Sequence, residues 1–289
     1  MLLVQHIQQL TKYHSEETAL EMLRDAGFTG ADLSLFNIEK SPRWMGENYK
    51  EEAKKLGEYA KSLGVPFVQS HAPFSFDWAH RDFETDIFPI IYRSVEIAAL
   101  AGVKYMVVHP IHHTPYFGHE EEIFETNMAY YKRFLPLCKK YGIKICLENM
   151  WKTNRDRKVI DHDTCSRAAE FNRYIDTLNA EGGDHFCACL DLGHTVLVGE
   201  DPVAMIKAMN NRIQTLHIHD NNYHDDTHTL PGCGKMPMTE IFGALKEIGY
   251  SGPYTLEADA FLSHMPKELY PATLRYMVEN SRYFASLME

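Results

Sequence analysis

The sequence predicts a single (β/α)8 TIM barrel over residues 1–289, and three observations predict it. Eight short apolar runs rich in β-branched and aromatic residues recur along the chain, each followed by a stretch with amphipathic helical spacing. No Gly/Ser-rich linker or shift of composition divides the 289 residues, a length that one large α/β domain can fill. Nearly every run ends in a polar side chain of the kind that binds metal or moves protons, and in this fold the strand C-termini build the site. The main competitor is a doubly wound open sheet. It usually carries a Gly-rich phosphate loop after its first strand, and none is present here.

The expected strands are LLVQHI (2–7), GADLSLF (30–36), PFVQSHA (66–72), YMVVHP (105–110), IKICLEN (143–149), FCACLDL (186–192), IQTLHIH (213–219) and YTLEAD (254–259). The expected helices are HSEETALEMLRDAG, YKEEAKKLGEYAKSLG, PIIYRSVEIAALAG, NMAYYKRFLPLCKKYG, TCSRAAEFNRYIDTL, DPVAMIKAMN and MTEIFGALKEIG, with a last one over 266–287. Gly27, Gly64, Gly102, Gly142 and Gly249 follow helix ends, where a left-handed residue normally terminates the helix.

Hydrophobic content of 45% and charged content of 24% are those of a soluble globular protein. No apolar run approaches the roughly 18 residues of a membrane span. The start, MLLVQHIQQLTKYHSEE, lacks the basic and apolar regions of a secretory signal, so a cytoplasmic protein is expected. The six cysteines have no C-x-x-C spacing. Cys146, Cys187 and Cys189 read as small reduced core residues. A net charge of −11 weighs against nucleic acid, whose binding draws on a basic face, and favours a small-molecule ligand.

The polar strand ends are Ser70-His71, His109, Glu148-Asn149, Asp191-Leu192-Gly193-His194, His217-Ile218-His219-Asp220 and Glu257-Ala258-Asp259. Any one of them alone is more often a satisfied core residue than a ligand. Six converging on one face bury several carboxylates together, which is costly unless a cation neutralises them. Glu148, Asp191, His217 and Glu257 supply three carboxylates and one imidazole, a donor set suited to Mn²⁺, Mg²⁺, Co²⁺ or Zn²⁺. His219 shares a strand face with His217 and stays open as the imidazole ligand.

At these residues the sequence resembles the xylose-isomerase-like barrels, the superfamily of sugar (phosphate) isomerases and epimerases that also includes endonuclease IV. SHAPF, VVHP, CLENM, CLDLGH, LHIHDN, HTLPGCGK and TLEAD carry the resemblance, from residue 70 to residue 259. It implies one divalent ion, Mn²⁺ foremost, held by Glu148, Asp191, His217 and Glu257. It also implies that Glu148 and Glu257 are the acid/base pair on opposite faces of a substrate carbon next to a carbonyl, while the metal stabilises the enediolate. His194 would hold a substrate oxygen, and His71, His109, Trp151 and His228 would line the pocket. Asp220, Asn221 and the Pro231-Gly232-Cys233-Gly234 turn would cover the sugar, with His224 solvated. A homo-oligomer is compatible with this reading, by analogy only.

Within the same superfamily, the resemblance to endonuclease IV implies an alternative: a three-zinc phosphodiesterase acting on abasic DNA, with His71, His109, His194, Asp226 and His228 as further ligands. The acidic balance, ENMWKTNRDRK after Glu148, and the HIHDNN…PGCG and TLEAD endings argue for the sugar enzyme. Asn154 and Tyr223 stand where the free-ketose epimerases have Glu and Arg. This leaves a sugar acid, a keto sugar from a glycoside, a cyclitol or a phosphate ester as substrate. Arg155, Arg157, Lys158 and Lys235 are candidates to meet an anionic group. A third class, a barrel that binds sugar or metal without catalysis, has no need of two glutamates.

Overall fold

The computed structural model describes residues 1–112, 114–154 and 157–289. Its barrel strands are β1 (Leu3–His6), β2 (Gly30–Ser34), β3 (Phe67–His71), β4 (Tyr105–Val107), β5 (Lys144–Glu148), β6 (Phe186–Asp191), β7 (Ile213–His217) and β8 (Tyr254–Leu256). They pair in parallel in the order β8-β1-β2-β3-β4-β5-β6-β7. The ring closes between β7 and β8 through one bridge, Ile218 to Leu256. Its bonds run from the Ile218 N–H to the Thr255 carbonyl at 2.9 Å and from the Glu257 N–H to the Ile218 carbonyl at 3.0 Å.

Every strand starts within one residue of its expected position and stops one to three residues early. The polar ends leave the ladder because their side chains converge on the barrel mouth. Helices Glu16–Ala26, Tyr49–Ser62, Phe88–Leu100, Ala168–Gly182, Pro202–Met209, Met238–Glu247 and Tyr270–Ser286 overlap the expected segments. Gly27, Gly64, Gly102, Gly142 and Gly249 all take positive φ, between 67° and 102°.

Two expectations are corrected. The segment 127–142 is not one helix but the C-terminal part of one, Glu120–Lys132, and the whole of a second, Leu135–Tyr141. Pro136 explains the break: it has no N–H to give and suits only the first turn of the second helix. The stretch after Glu148, where no strand was expected, forms an antiparallel hairpin, Trp151–Asn154 against Val159–His162, pairing Trp151 with His162. Arg155, named above as an anion contact, lies outside the described residues.

The barrel interior is layered beneath the mouth. Val4, Val68, Tyr105, Val107, Cys146, Cys187 and Cys189 form a separate apolar cluster. The five cysteines other than Cys233 are buried, and all six are free thiols. Gln69 Oε1 accepts from the hydroxyls of Thr215 and Thr255, a polar layer that ties β3, β7 and β8 together across the barrel, while the buried Gln69 Nε2 finds no partner among the described residues. That layer fixes inward-facing side chains two residues below His71, His217 and Glu257. No helix among the described residues is long and apolar enough to cross a membrane.

Candidate active site

The strand ends bring Glu148, Asp191, His217 and Glu257 together, with one donor atom from each lying within 4.8 Å of the others. All four are buried. His217 Nδ1 sits between the two glutamates, 2.9 Å from Glu148 Oε1 and 3.1 Å from Glu257 Oε2, with Asp191 Oδ2 at 3.8 Å. His217, rather than His219, is thus the imidazole in the cluster. Strand geometry produces this: β6 and β7 pair Asp191 with His217 directly, and β5 lies next to β6.

On the other side of Glu148, His109 Nε2 approaches Oε2 at 2.9 Å and His71 Nε2 approaches it at 3.3 Å. The His71 Nδ1–H donates to the Ala72 carbonyl at 2.7 Å, which fixes the ring. Burial opposes the charge on Glu148, yet His217 and His109 hold its carboxyl well below the usual range. Glu257 goes the other way. Burial, then the charges of Glu148 and Asp191, push its carboxyl well above the usual range. Within this inner cluster three carboxylates meet one imidazole. Three oxygen donors and one nitrogen around such an excess fit a divalent cation.

A second group forms beside the first from His194, His219, Asp226 and His228. His219 Nε2 lies 3.0 Å and 3.1 Å from the two Asp191 oxygens, and its ring stacks on His228 at 4.0 Å. Asp226 Oδ2 is 3.1 Å from His228 Nε2 and 3.4 Å from His194 Nε2. His194 Nδ1 bonds the Asn149 carbonyl at 2.8 Å. Burial lowers the pKa of His194, but Asp191 and Asp226 outweigh it and raise the imidazole to about 10. For His228, burial is outweighed by Asp226, which brings it to about 9.

Gly193 makes room for this group. A Cβ there would fall inside the His219 imidazole, a ring with no space to retreat. Gly193→Ala is expected to destabilise the protein by about 1–3 kcal/mol, as overpacking does. Thermal melts check this, and an unchanged midpoint would refute the tight fit.

Trp151 opens the hairpin and stands 6.2 Å from His194, ring to ring. With His71, His109, His194 and His228 it lines a cavity of about 570 Å³ over Glu148 and Glu257. Asp220 does not cover a ligand as expected: it is fully buried and all its acceptor capacity goes to backbone. Oδ2 accepts from the Gly232 and Gly234 N–H groups at 2.9 and 3.0 Å, and Oδ1 from those of Asn221 and Met236 at 2.8 and 3.0 Å. It is the anchor that shapes the Pro-Gly-x-Gly turn. His224 is exposed, as expected. Arg157, Lys158 and Lys235 are not among the described residues lining the cavity.

Sequence reasoning passed over His6 and Asp32 and gave Asp259 no role; the three form a string from the end of β1 through the middle of β2 to the residues just after β8, with His6 and Asp32 buried and Asp259 half-buried. His6 Nδ1 is 3.2 Å from Asp259 Oδ2, and its Nε2 is 3.8 Å from Asp32 Oδ1. The signal was present: a charged residue interrupts each of the first two apolar runs as well.

Known proteins match this architecture. The model of the xylose isomerase-like TIM barrel family matches residues 20–279. An inosose isomerase of Bacillus velezensis is 22% identical over 231 residues, covering 78% of this chain and 77% of that protein. A D-tagatose 3-epimerase-like protein superposes with a TM-score of 0.71 at 20% identity, covering 99% of this chain and 98% of its own. The zinc-bound IOLI protein superposes with a TM-score of 0.72 at 19% identity, over 100% and 98%. With its family model covering nearly the whole barrel, the chain belongs to the xylose isomerase-like TIM barrels.

Proposed function

We propose that the protein is a divalent-metal-dependent isomerase or epimerase of sugars or sugar derivatives. The observation that carries this reading is the burial of Glu148 and Glu257 on either side of His217, together with Asp191, at the floor of one cavity. The similar proteins named as an inosose isomerase and sugar epimerases support the same class. Glu148, Asp191, His217 and Glu257 would hold the ion, with Mn²⁺ the first candidate and Zn²⁺, Mg²⁺ and Co²⁺ alternatives. When bound, it supplies Lewis-acid polarisation of a substrate oxygen.

The chain's own residues do the remaining work. One glutamate takes the proton from the carbon next to the substrate carbonyl, and the C–H electron pair forms the enediolate. The other returns a proton to the opposite face, so the carbon's configuration inverts with no net redox change. His71 and His109 keep Glu148 oriented through Oε2, which leaves Oε1 toward His217. His194, anchored on the Asn149 carbonyl, would turn Nε2 from Asp226 Oδ2, 3.4 Å away, to a substrate oxygen. Trp151 and His228 wall the cavity and exclude water.

The test is proton exchange of keto sugars with deuterated water, followed by NMR on protein loaded with Mn²⁺ and counted for metal. About one ion per chain with exchange at one carbon supports the reading. About three tightly held zinc ions without sugar exchange would move the assignment to the phosphodiesterase. That second reading has in its favour the gathering of His71 and His109 at Glu148, and of His194 with Asp226 and His228. The relatives and the net charge of −11 do not favour it.

A further inference from the structure

A second cavity, of about 300 Å³, lies next to the first on the side of β3 and β4. The two share Phe74, His109 and His112 in their walls, so these side chains stand between them. Its wall is aromatic: Phe76, Trp78 and Tyr130, with Phe76 and Trp78 edge-to-face at 5.8 Å. Its polar edge consists of His112 and Lys152. The His112 Nδ1 is engaged by the buried Asp163 at 2.9 Å, which leaves Nε2 for the cavity. The Lys152 ammonium donates to the carbonyls of His112 and Thr114 at 2.9 and 3.1 Å, and no described carboxylate pairs with it.

A pocket that only turned over a monosaccharide has no use for this space. Its volume lies at the small end of ligand sites, roughly 300 Å³ and upward, enough for one ring. Aromatic faces with two polar groups at one edge recognise a flat ring carrying a few hydrogen-bonding substituents. An isolated anion would want converging cations, and Lys152 alone does not provide them.

Resting on the reading of the main cavity as a sugar site, we infer that the side cavity is a subsite for a second six-membered ring, joined through a glycosidic oxygen to the sugar that reacts. The substrate class is then a glycoside whose reacting ring carries a ketone, and the ring beyond the linkage is either a second pyranose or an aromatic aglycone.

The experiment titrates the Mn²⁺-loaded protein calorimetrically with methyl β-D-glucoside, phenyl β-D-glucoside and cellobiose. In the wild type, phenyl glucoside, cellobiose or both are expected to bind about tenfold tighter than the methyl glycoside. That is about 1.4 kcal/mol, within the reach of one aromatic contact. The tighter probe identifies the ring. Phe76→Ala/Trp78→Ala should remove the gain and leave the methyl glucoside affinity in place. Ile111→Trp, which fills the cavity without removing its packing, should do the same if the double variant does not fold. Equal affinities for all three probes, or a gain that survives both variants, would overturn the subsite. Binding of none of them would also overturn it, while proton exchange on free keto sugars decides the main cavity independently.

Discussion

Glu257→Gln is expected to lower the rate of proton exchange at the substrate carbon by about 10²–10⁴, the usual worth of one proton-transfer group. The substitution preserves shape and leaves one amide oxygen beside His217 Nδ1, so the fold should be kept. What it removes is the group that takes up and returns a proton. Glu148→Gln should cost at least as much. Its Oε2 faces both His109 and His71 and its Oε1 faces His217, so an amide there puts N–H against imidazole on one side or the other. Metal content of each variant must be counted beside turnover, because loss of the ion and loss of the proton carrier give the same silent enzyme. A Glu257→Gln variant that keeps its metal and its full rate would sink the two-glutamate mechanism. If both variants retain metal and sugar affinity without turnover ever being seen in the wild type, the protein is a binding barrel instead.

Loading with Mn²⁺ is expected to raise the melting temperature by about 5 °C or more, and Asp191→Asn to abolish most of that rise. A ligand at a hundred times its Kd stabilises by about 2.7 kcal/mol, and each kcal/mol moves the midpoint of a chain this large by roughly 2 °C. Asp191 is the residue to change because it joins the two groups of the site. Its carboxylate lies 3.8 Å from His217 Nδ1 and 3.0 Å from His219 Nε2, and it also accepts from the His194 N–H at 2.7 Å. Asn can keep the last of these contacts while losing the charge that a cation needs. Scanning calorimetry with and without Mn²⁺ on both proteins reads the effect. A wild-type midpoint indifferent to every divalent ion tried would count against metal at this site.

The order of strands and helices was legible because alternating apolar runs and amphipathic stretches recur at regular spacing, and because five glycines mark helix ends with a backbone conformation few other residues tolerate. The site was legible for the same reason that it is costly. Glu148, Asp191 and Glu257 each interrupt an apolar run at its C-terminal end, where burial is otherwise the rule. His6 and Asp32 obey that rule too, but they lie inside runs whose apolar residues continue past them, so the charge reads as a fluctuation. The hairpin was hidden by composition. Trp151–Asn154 and Val159–His162 are partly exposed on both faces, so neither shows the alternation that marks a half-buried strand. Asp220 was misassigned because a sequence does not reveal whether a carboxylate faces a ligand or the backbone of its own loop. The side cavity comes from five separate segments, and no local pattern announces it.

The single bridge between β7 and β8 has a mechanical meaning. Elsewhere neighbouring strands share three to four paired positions, whereas among the described residues the backbone ladder of this seam has a single bridge, at Ile218. His217 stands on one lip of it and Glu257 on the other, 3.1 Å apart. An ion gripped by both side chains would therefore act as a rivet across the weakest join of the hoop. Filling the site would then also tighten the barrel where its backbone ladder is thinnest.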